Sequence, residues 1–295
     1  MDLRCRCPRA WALSICALAL SLVAPSYGAQ VLFSDDFNNI DSGEWGRANW
    51  SGGGFTSVDW QPGHAQASNG QLVLALDKTA DDGQSCAAGS VACNGKAYAS
   101  AEYRLHRRFG AGTKVETRMK AAGGDGLVTT MFLYGYYKTP NKGHYDEITM
   151  EILGKDPHWV QFNYFLKGKG QHEERVKLDF DASKGFHTYA FENSKESIRW
   201  FVDGQLRHTF DLQQDGPVKE GQLMLSLWAA NPDKGTAEWA GVFKGESAQA
   251  AFDWTRISGL ETAPVPLPSS VLLFGSAAAL LFGWKTGRQR RWFAG

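Results

Sequence analysis

The stretch Ile198-Arg-Trp-Phe-Val-Asp-Gly-Gln-Leu-Arg-His-Thr-Phe210 decides the fold class of this chain. Its Asp203-Gly204 pair suits the positive φ angles of a type I′ turn, so the segment predicts a β-hairpin. Apolar and polar residues alternate, as in half-buried strands, in further runs along residues 30–260: Leu72–Leu76, Lys114–Met119, Val160–Phe165 and Val176–Phe180. No long amphipathic helix interrupts these runs. We therefore expect an all-β domain of two packed antiparallel sheets, a β-sandwich.

Composition and charge exclude several classes of protein. The chain has 295 residues, of which 13% are aromatic and 21% charged, which suits a packed core and excludes a disordered chain. The formal net charge of zero hides an acidic body, because residues 29–263 carry 24 Lys and Arg against 30 Asp and Glu, a net charge of −6. An acidic body without a basic stripe excludes a nucleic-acid partner.

Residues 1–28 predict a secretory signal peptide. Three arginines precede an apolar run over residues 11–23, and small residues at positions 26 and 28 suit cleavage after Gly28. A lone membrane anchor is the alternative, for which the apolar run is short. Export predicts an oxidising compartment and a disulfide between Cys86 and Cys93, the two cysteines that cleavage leaves. Two free thiols are the alternative to that disulfide.

Residues 264–295 form a second targeting segment. A linker containing Val-Pro-Leu-Pro-Ser-Ser leads into an apolar segment, Val271–Trp284, and a cluster of four basic residues follows. This order resembles the PEP-CTERM sorting signals of Gram-negative bacteria, although the Pro-Glu-Pro form of the motif is absent. The resemblance implies processing by an exosortase-like enzyme, a link to exopolysaccharide, and export to the cell surface or extracellular space with transient anchoring by a short transmembrane helix. A plain single-span anchor is the alternative.

The segment Asp146-Glu-Ile-Thr-Met-Glu-Ile-Leu153 carries the candidate chemistry. In a strand, Glu147, Thr149 and Glu151 point to one face, and the apolar residues between them point to the core. The two Glu lie about 13 Å apart at Cα, from a rise of ~3.3 Å per residue. On a curved strand their long side chains can lean to the ~5–5.5 Å that retaining glycosidases use. A solvated polar face is the alternative for two exposed carboxylates.

Over Asp36–Ser258 the sequence resembles glycoside hydrolase family 16, and most closely its bacterial lichenases. The similarity is densest over three segments: Asp146–Asp156, Val160–Tyr164 and Phe180–Phe191. The resemblance implies that residues 29–263 form a β-jelly roll, concanavalin A-like, with a concave glycan-binding groove. It also implies that Glu147 is the nucleophile and Glu151 the general acid/base.

Three positions depart from the family. Thr149 stands where the family has Asp, between the catalytic pair, so one negative charge is lost. We expect lower turnover and an acid-shifted pH profile, because less like-charge repulsion lowers the pKa of Glu151. A domain that binds glycan and barely cuts it is the alternative. Gly52 and Ser226 stand where lichenases carry Asn, which leaves the exact sugar specificity open.

The resemblance assigns further residues to the groove. These are the pair Glu102 and Arg104, the aromatic residues Tyr134, Tyr145 and Trp228, and Asn163 with Gln161 beside it on the same face. A structural ion pair and core packing are the respective alternatives for the charged pair and the aromatic residues. Asp253 matches a structural calcium ligand of lichenases, and a plain surface carboxylate is its alternative.

Together these observations predict a secreted, monomeric, retaining endo-β-glycanase that acts on β-1,3-1,4-glucan or a related bacterial exopolysaccharide and requires no cofactor. Its partners are the polysaccharide and the enzyme that processes the tail. Two alternatives use the same groove. One is a lectin-like binding module of the same fold, and the other is a transglycosylase in which a sugar replaces water as the acceptor.

Overall fold

The computed structural model describes residues 29–79, 95–138, 143–170, 172–212 and 216–260. The predicted leader, the predicted sorting tail and the pair Cys86 and Cys93 lie outside the described residues. Within the described ranges, no helix has the length and apolar character needed to cross a membrane.

The described residues form two β-sheets, and the all-β prediction is confirmed. The strands of the first sheet are β1 (Val31–Asp35), β3 (Val58–Trp60), β4 (Ala65–Ser68), β5 (Gln71–Lys78), β6 (Tyr98–Ser100), β8 (Thr113–Lys120), β13 (His187–Asn193), β14 (Ser197–Val202), β15 (Gln205–Asp211) and β17 (Ser247–Gly259). Those of the second are β2 (Trp45–Arg47), β7 (Glu102–Phe109), β9 (Leu127–Lys138), β10 (Gly143–Leu153), β11 (Trp159–Phe165), β12 (Glu174–Lys177) and β16 (Gly221–Ala229). The helical elements in the same ranges are a turn of 3-10 helix at Pro62–His64 and a short helix α1 at Gly235–Ala240.

The second sheet has the order β12-β11-β10-β9-β16-β7-β2, which puts β10 near its centre. Pairing in both sheets is antiparallel except between β3 and β6, where two three-residue strands run parallel at one edge of the first sheet. The sequence did not predict that pair, because its strands are too short to show a period. The predicted hairpin is confirmed as β14 and β15, with φ of 49° at Asp203 and 75° at Gly204.

The hydrophobic core lies between the two sheets. Phe162 of β11 stacks on Trp200 of β14 with ring centroids 5.6 Å apart, so this pair joins one sheet to the other. Ile148, Met150 and Ile152 of β10 are fully buried in the same core. Because side chains alternate along a strand, the burial of these three places Glu147, Thr149 and Glu151 on the outer face of the second sheet.

Candidate active site

The outer face of β10 carries Glu147, Thr149 and Glu151 in a row, as the alternation predicts. Strand register gives each of them a neighbour on β9 and one on β11. The pairs are Glu147 with Tyr134 and Phe165, Thr149 with Phe132 and Asn163, and Glu151 with Thr130 and Gln161. These rows continue across β16 and β7, so they build a floor that runs perpendicular to the strands.

A groove of about 1040 Å³ lies on this floor. Its lining side chains are Trp50, Phe55, Trp60, Glu102, Arg104, Arg108, Thr130, Phe132, Tyr134, Tyr136, Tyr145, Glu147, Thr149, Glu151, Gln161, Asn163, Phe165, Glu173, Gln222, Met224, Ser226, Trp228, Thr236 and Trp239. The tyrosines of this lining belong to strands β9 and β10, and its tryptophans come from other segments. Aromatic walls around a polar floor suit a sugar chain, whose rings have apolar faces and polar edges.

Burial dominates the electrostatics of the two carboxylates. Burial, followed by the nearby charges of Glu151 and Glu102, raises the pKa of Glu147 to about 8. Burial, followed by the charge of Glu173, raises the pKa of Glu151 to about 7. For Glu151 the like charge that adds to desolvation is that of Glu173, in the segment before β12, and not that of its strand neighbour Glu147.

Thr149 is 1% exposed and sits between the two carboxylates on β10. Its neighbours across the sheet are an aromatic ring and an amide, Phe132 and Asn163. The Asn163 Oδ1 atom accepts the backbone N–H of Tyr164 at 2.8 Å, so the NH₂ group of this amide is the part left for a ligand. The centre of the floor is therefore neutral where the family motif carries a charge.

Glu102 and Arg104 form an ion pair at the β7 side of the groove. The Arg104 Nε–H donates to Glu102 Oε1 at 2.6 Å. The Arg104 guanidinium also lies over the ring of Trp50, with Cζ 4.2 Å from the ring centroid. Burial raises the pKa of Glu102 while Arg104 opposes that rise. Glu102 and Arg104 thus form an ion pair and also line the groove. The two interpretations of this pair, a structural ion pair and a groove residue pair, are therefore compatible.

The predicted aromatic residues also combine two roles, since they pack against other rings of the protein and line the groove. Tyr134 and Tyr145 stack on each other with centroids 5.3 Å apart and still line the groove. Trp228 is 6% exposed, and it packs against Phe55 and Trp239 with centroids 5.4 and 5.9 Å away. Little of the Trp228 side chain is therefore open to a ligand.

Two positions where lichenases carry Asn have a structural reason here. A Cβ at Gly52 would lie 2.3 Å from Thr56 Oγ1 and 2.7 Å from the Val58 carbonyl, so this backbone has no room for a side chain. Ser226 is buried and shares a hydrogen bond of 2.7 Å with the Thr130 hydroxyl. At Gly52 close backbone packing, and at Ser226 a hydrogen bond within the protein, thus stand where lichenases have an Asn side chain.

Sequence reasoning missed several groove residues that come from other strands and loops. These are Trp50, Phe55, Trp60, Arg108, Thr130, Phe132, Tyr136, Phe165, Glu173, Gln222, Met224, Thr236 and Trp239. Alternation along β9 places its even-numbered residues from 130 to 136 on one face, and this signal could have identified Phe132 and Tyr136. Trp239 lies on a six-residue helix, whose position over the groove has no local signature.

Asp253 lies on the other sheet, away from the groove. Its carboxylate accepts a hydrogen bond from Arg118 Nη1 and forms an ion pair with that guanidinium. Across the described ranges, no group of three or more His, Cys, Asp or Glu residues is arranged to hold a metal ion. The Asp253 carboxylate, already balanced by a guanidinium, does not by itself fit a calcium site, since calcium takes six to eight oxygen ligands.

A sandwich that holds two glutamates on the floor of an aromatic groove has the architecture of a polysaccharide hydrolase. Comparison with known proteins gives the family. A family model described as "Glycosyl hydrolases family 16" matches residues 54–256. The chain belongs to glycosyl hydrolase family 16 and is a licheninase-like glycoside hydrolase, as the sequence predicted.

Similar proteins agree with this assignment. The beta-glucanase of Bacillus subtilis is 37% identical over 228 residues, which cover 76% of this chain and 85% of that protein. A solved lichenase from a mouse hindgut metagenome is 33% identical with a TM-score of 0.66, over 77% of this chain and 99% of that one. The Bacillus licheniformis beta-glucanase structure is 32% identical with a TM-score of 0.64, over 80% of this chain and 100% of that one.

Proposed function

We propose that this chain is an exported, retaining endo-β-glycanase that hydrolyses β-1,3-1,4-glucan or a related bacterial exopolysaccharide. The observation that carries the proposal is the pair Glu147 and Glu151 on the groove floor, both with raised pKa values. Solvated carboxylates on an open strand would not have them. The lichenase and beta-glucanase names of the similar proteins support a β-glucan substrate.

The chemistry has two steps. The Glu147 carboxylate attacks the anomeric carbon, the bond to the leaving oxygen breaks, and Glu151 gives that oxygen its proton. Water then attacks the anomeric carbon, Glu151 takes a proton from the water, and the bond to Glu147 breaks. The reactive state therefore has Glu147 ionised and Glu151 protonated.

The raised pKa values set the pH range of this state. The pair holds one proton mainly between about pH 7 and pH 8. Because Glu147 has the higher pKa, that proton lies mostly on Glu147, and the reactive form with the proton on Glu151 is the minor one. Below about pH 7 both groups are protonated, and above about pH 8 both are ionised, so the reactive form is lost in either direction. Activity should therefore be highest near neutral pH and fall on both sides.

A substrate panel tests the proposal. Residues 29–263 are incubated with lichenan, barley β-glucan, laminarin and a succinoglycan-type polymer, and new reducing ends are measured across pH. Glu147→Gln is the control, because it keeps the shape of the side chain and removes the nucleophile. Release from a polymer that disappears in the control supports a glycanase and identifies its substrate. Binding without release by the wild type contradicts hydrolysis and supports the lectin-like alternative.

Product analysis separates hydrolysis from transglycosylation. The groove is open enough to admit either water or a sugar acceptor, so both reactions use Glu147 and Glu151 alike. Hydrolysis leaves an added, end-labelled oligosaccharide acceptor at its own length. Labelled products longer than that acceptor would instead support a transglycosylase.

The targeting of the chain is a separate proposal. The arginine-rich leader with its small residues at positions 26 and 28 supports export, and the tail at 264–295 supports exosortase-type processing at the surface of a Gram-negative cell. Export in turn supports a disulfide between Cys86 and Cys93, and we propose a monomer. Mass spectrometry of the protein recovered from cells tests all but the last of these. It should show an N-terminus at Ala29, loss of the tail and a mass two hydrogens below that of the reduced chain.

A further inference from the structure

A chain of two hydrogen bonds connects helix α1 to Glu151. The indole Nε1–H of Trp239 donates to Gln161 Oε1 at 3.0 Å. The Gln161 Nε2–H then donates to Glu151 Oε2 at 3.3 Å. Gln161 is 8% exposed and lies directly across from Glu151 in the sheet register, so the amide has little freedom to move away.

The indole fixes which way the amide points. An indole N–H is only a donor, so the Gln161 atom that faces it must be the carbonyl oxygen. The opposite end of the amide, which faces Glu151, must then be NH₂. A flipped amide would put NH₂ against the indole N–H and a carbonyl against the Glu151 carboxylate, and both hydrogen bonds would be lost.

The amide in turn fixes where Glu151 holds its proton. An amide NH₂ can donate to Glu151 Oε2 but cannot accept from it. A carbonyl oxygen accepts a hydrogen bond better than a protonated hydroxyl oxygen does, so the bond from Gln161 to Oε2 favours the form of Glu151 that carries its proton on Oε1. Proton transfer to a leaving oxygen needs the donor atom within hydrogen-bond reach of it.

We propose that Trp239 and Gln161 are positioning residues that hold the transferable proton of Glu151 on Oε1. The inference deepens the proposed function and rests on Glu151 as the general acid. Trp239 thus has two roles, because it donates a hydrogen bond to Gln161 and also stacks on Trp228. Only the hydrogen bond to Gln161 needs the indole N–H.

Trp239→Phe separates the two roles, because it keeps an aromatic ring and removes the N–H. Trp228→Phe is the matched control, since it makes the same change in the other ring of the stacked pair. Each variant is assayed on two substrates. The first is the best polymer of the panel, whose leaving sugar needs a proton. The second is a 2,4-dinitrophenyl glycoside of a matching oligosaccharide, whose leaving group needs none.

We expect Trp239→Phe to lower kcat/KM on the polymer about tenfold and kcat/KM on the dinitrophenyl glycoside less than twofold. The ratio kcat/KM is compared because it reports the first step, in which only the polymer needs a proton from Glu151. Without the bond from the amide to the Glu151 carboxylate, the limb of the polymer pH profile near pH 7, where Glu151 titrates, should also move to higher pH. Trp228→Phe should change KM on both substrates alike and leave that limb in place. Equal loss of kcat/KM on both substrates in Trp239→Phe, or a split that Trp228→Phe reproduces, overturns the proposal.

A measurement without turnover covers the case in which a variant folds poorly. In protein labelled with ¹⁵N, the side-chain NH₂ signals of Gln161 should shift as Glu151 titrates near pH 7, and Glu151→Gln should abolish the shift. If the Gln161 NH₂ signals do not shift as Glu151 titrates, the proposal is overturned whatever the kinetics show. Absence of product from the wild type on both substrates is a different result, because it contradicts the proposed function first.

Discussion

Thr149→Asp restores a carboxylate between the two glutamates, and its effect can be worked out from the strand geometry. Residues two apart on one face of a strand lie about 7 Å apart, from a rise of ~3.3 Å per residue. At an effective dielectric constant of about 20, two unit charges at that distance interact by roughly 2.4 kcal/mol, or about 1.7 pKa units. Because Glu147 and Glu151 are partly open to solvent, we expect about half of that, or roughly one unit.

Both limbs of the pH profile should therefore move up by about one unit in Thr149→Asp. The new charge lies equally near Glu147 and Glu151, so it raises the pKa of both. Turnover should also rise, on the order of tenfold, because a third carboxylate stabilises the positive charge of an oxocarbenium-like transition state. The folded protein should lose stability, since the position is 1% exposed and an added charge there is costly.

The assay is a pH series of kcat and kcat/KM on the best polymer, with melting temperatures for each protein. Thr149→Asn is the matched control, because it has the shape of Asp without its charge. It should leave both limbs where the wild type has them. The reasoning is refuted if Thr149→Asn shifts the limbs as far as Thr149→Asp does. It is also refuted if Thr149→Asp leaves the limbs unmoved or lowers turnover.

Three further predictions follow from the charges. Glu147 has a folded pKa of about 8, above its usual value near 4.5, so the folded state loses stability as pH rises between these values. Glu147→Gln should accordingly raise the melting temperature by several degrees at pH 8 and hardly change it at pH 4; equal shifts at both would contradict this. Glu173→Gln removes a charge that raises the pKa of Glu151, so the limb near pH 7, where Glu151 titrates, should move down by a few tenths of a unit, and an upward shift would contradict that assignment. Because Arg118 already balances Asp253, EDTA should leave the wild-type melting temperature unchanged, and a drop that added calcium reverses would show a metal there instead.

The sequence predicted what depends on short-range patterning. Alternation of period two placed Glu147 and Glu151 on one face and put Ile148, Met150 and Ile152 in the core, because a strand has only two faces. The Asp-Gly pair predicted its hairpin for a similar reason, since few residues accept the φ angles of that turn. The resemblance to family 16 predicts the remaining groove residues, such as Glu102, Arg104 and Asn163, whose roles no local pattern indicates.

Contacts between distant segments could not be predicted in this way. Arg118 and Asp253 are 135 residues apart, and only the pairing of β8 with β17 brings them together. Trp239 reaches Gln161 over 78 residues from a helix too short to have a recognisable period. The pKa of Glu151 depends in the same way on Glu173, a residue outside the strands whose position in the groove lining is set by the whole fold.

The stereochemistry of the first product tests the central claim most directly. Proton NMR of a β-glucan digest, recorded within minutes of adding enzyme, distinguishes the anomers before they interconvert. The two-step mechanism through Glu147 predicts that the β-anomer appears first and that the α-anomer follows only by mutarotation. An α-anomer that appears first would mean a single displacement by water, and Glu147 could not then be the nucleophile.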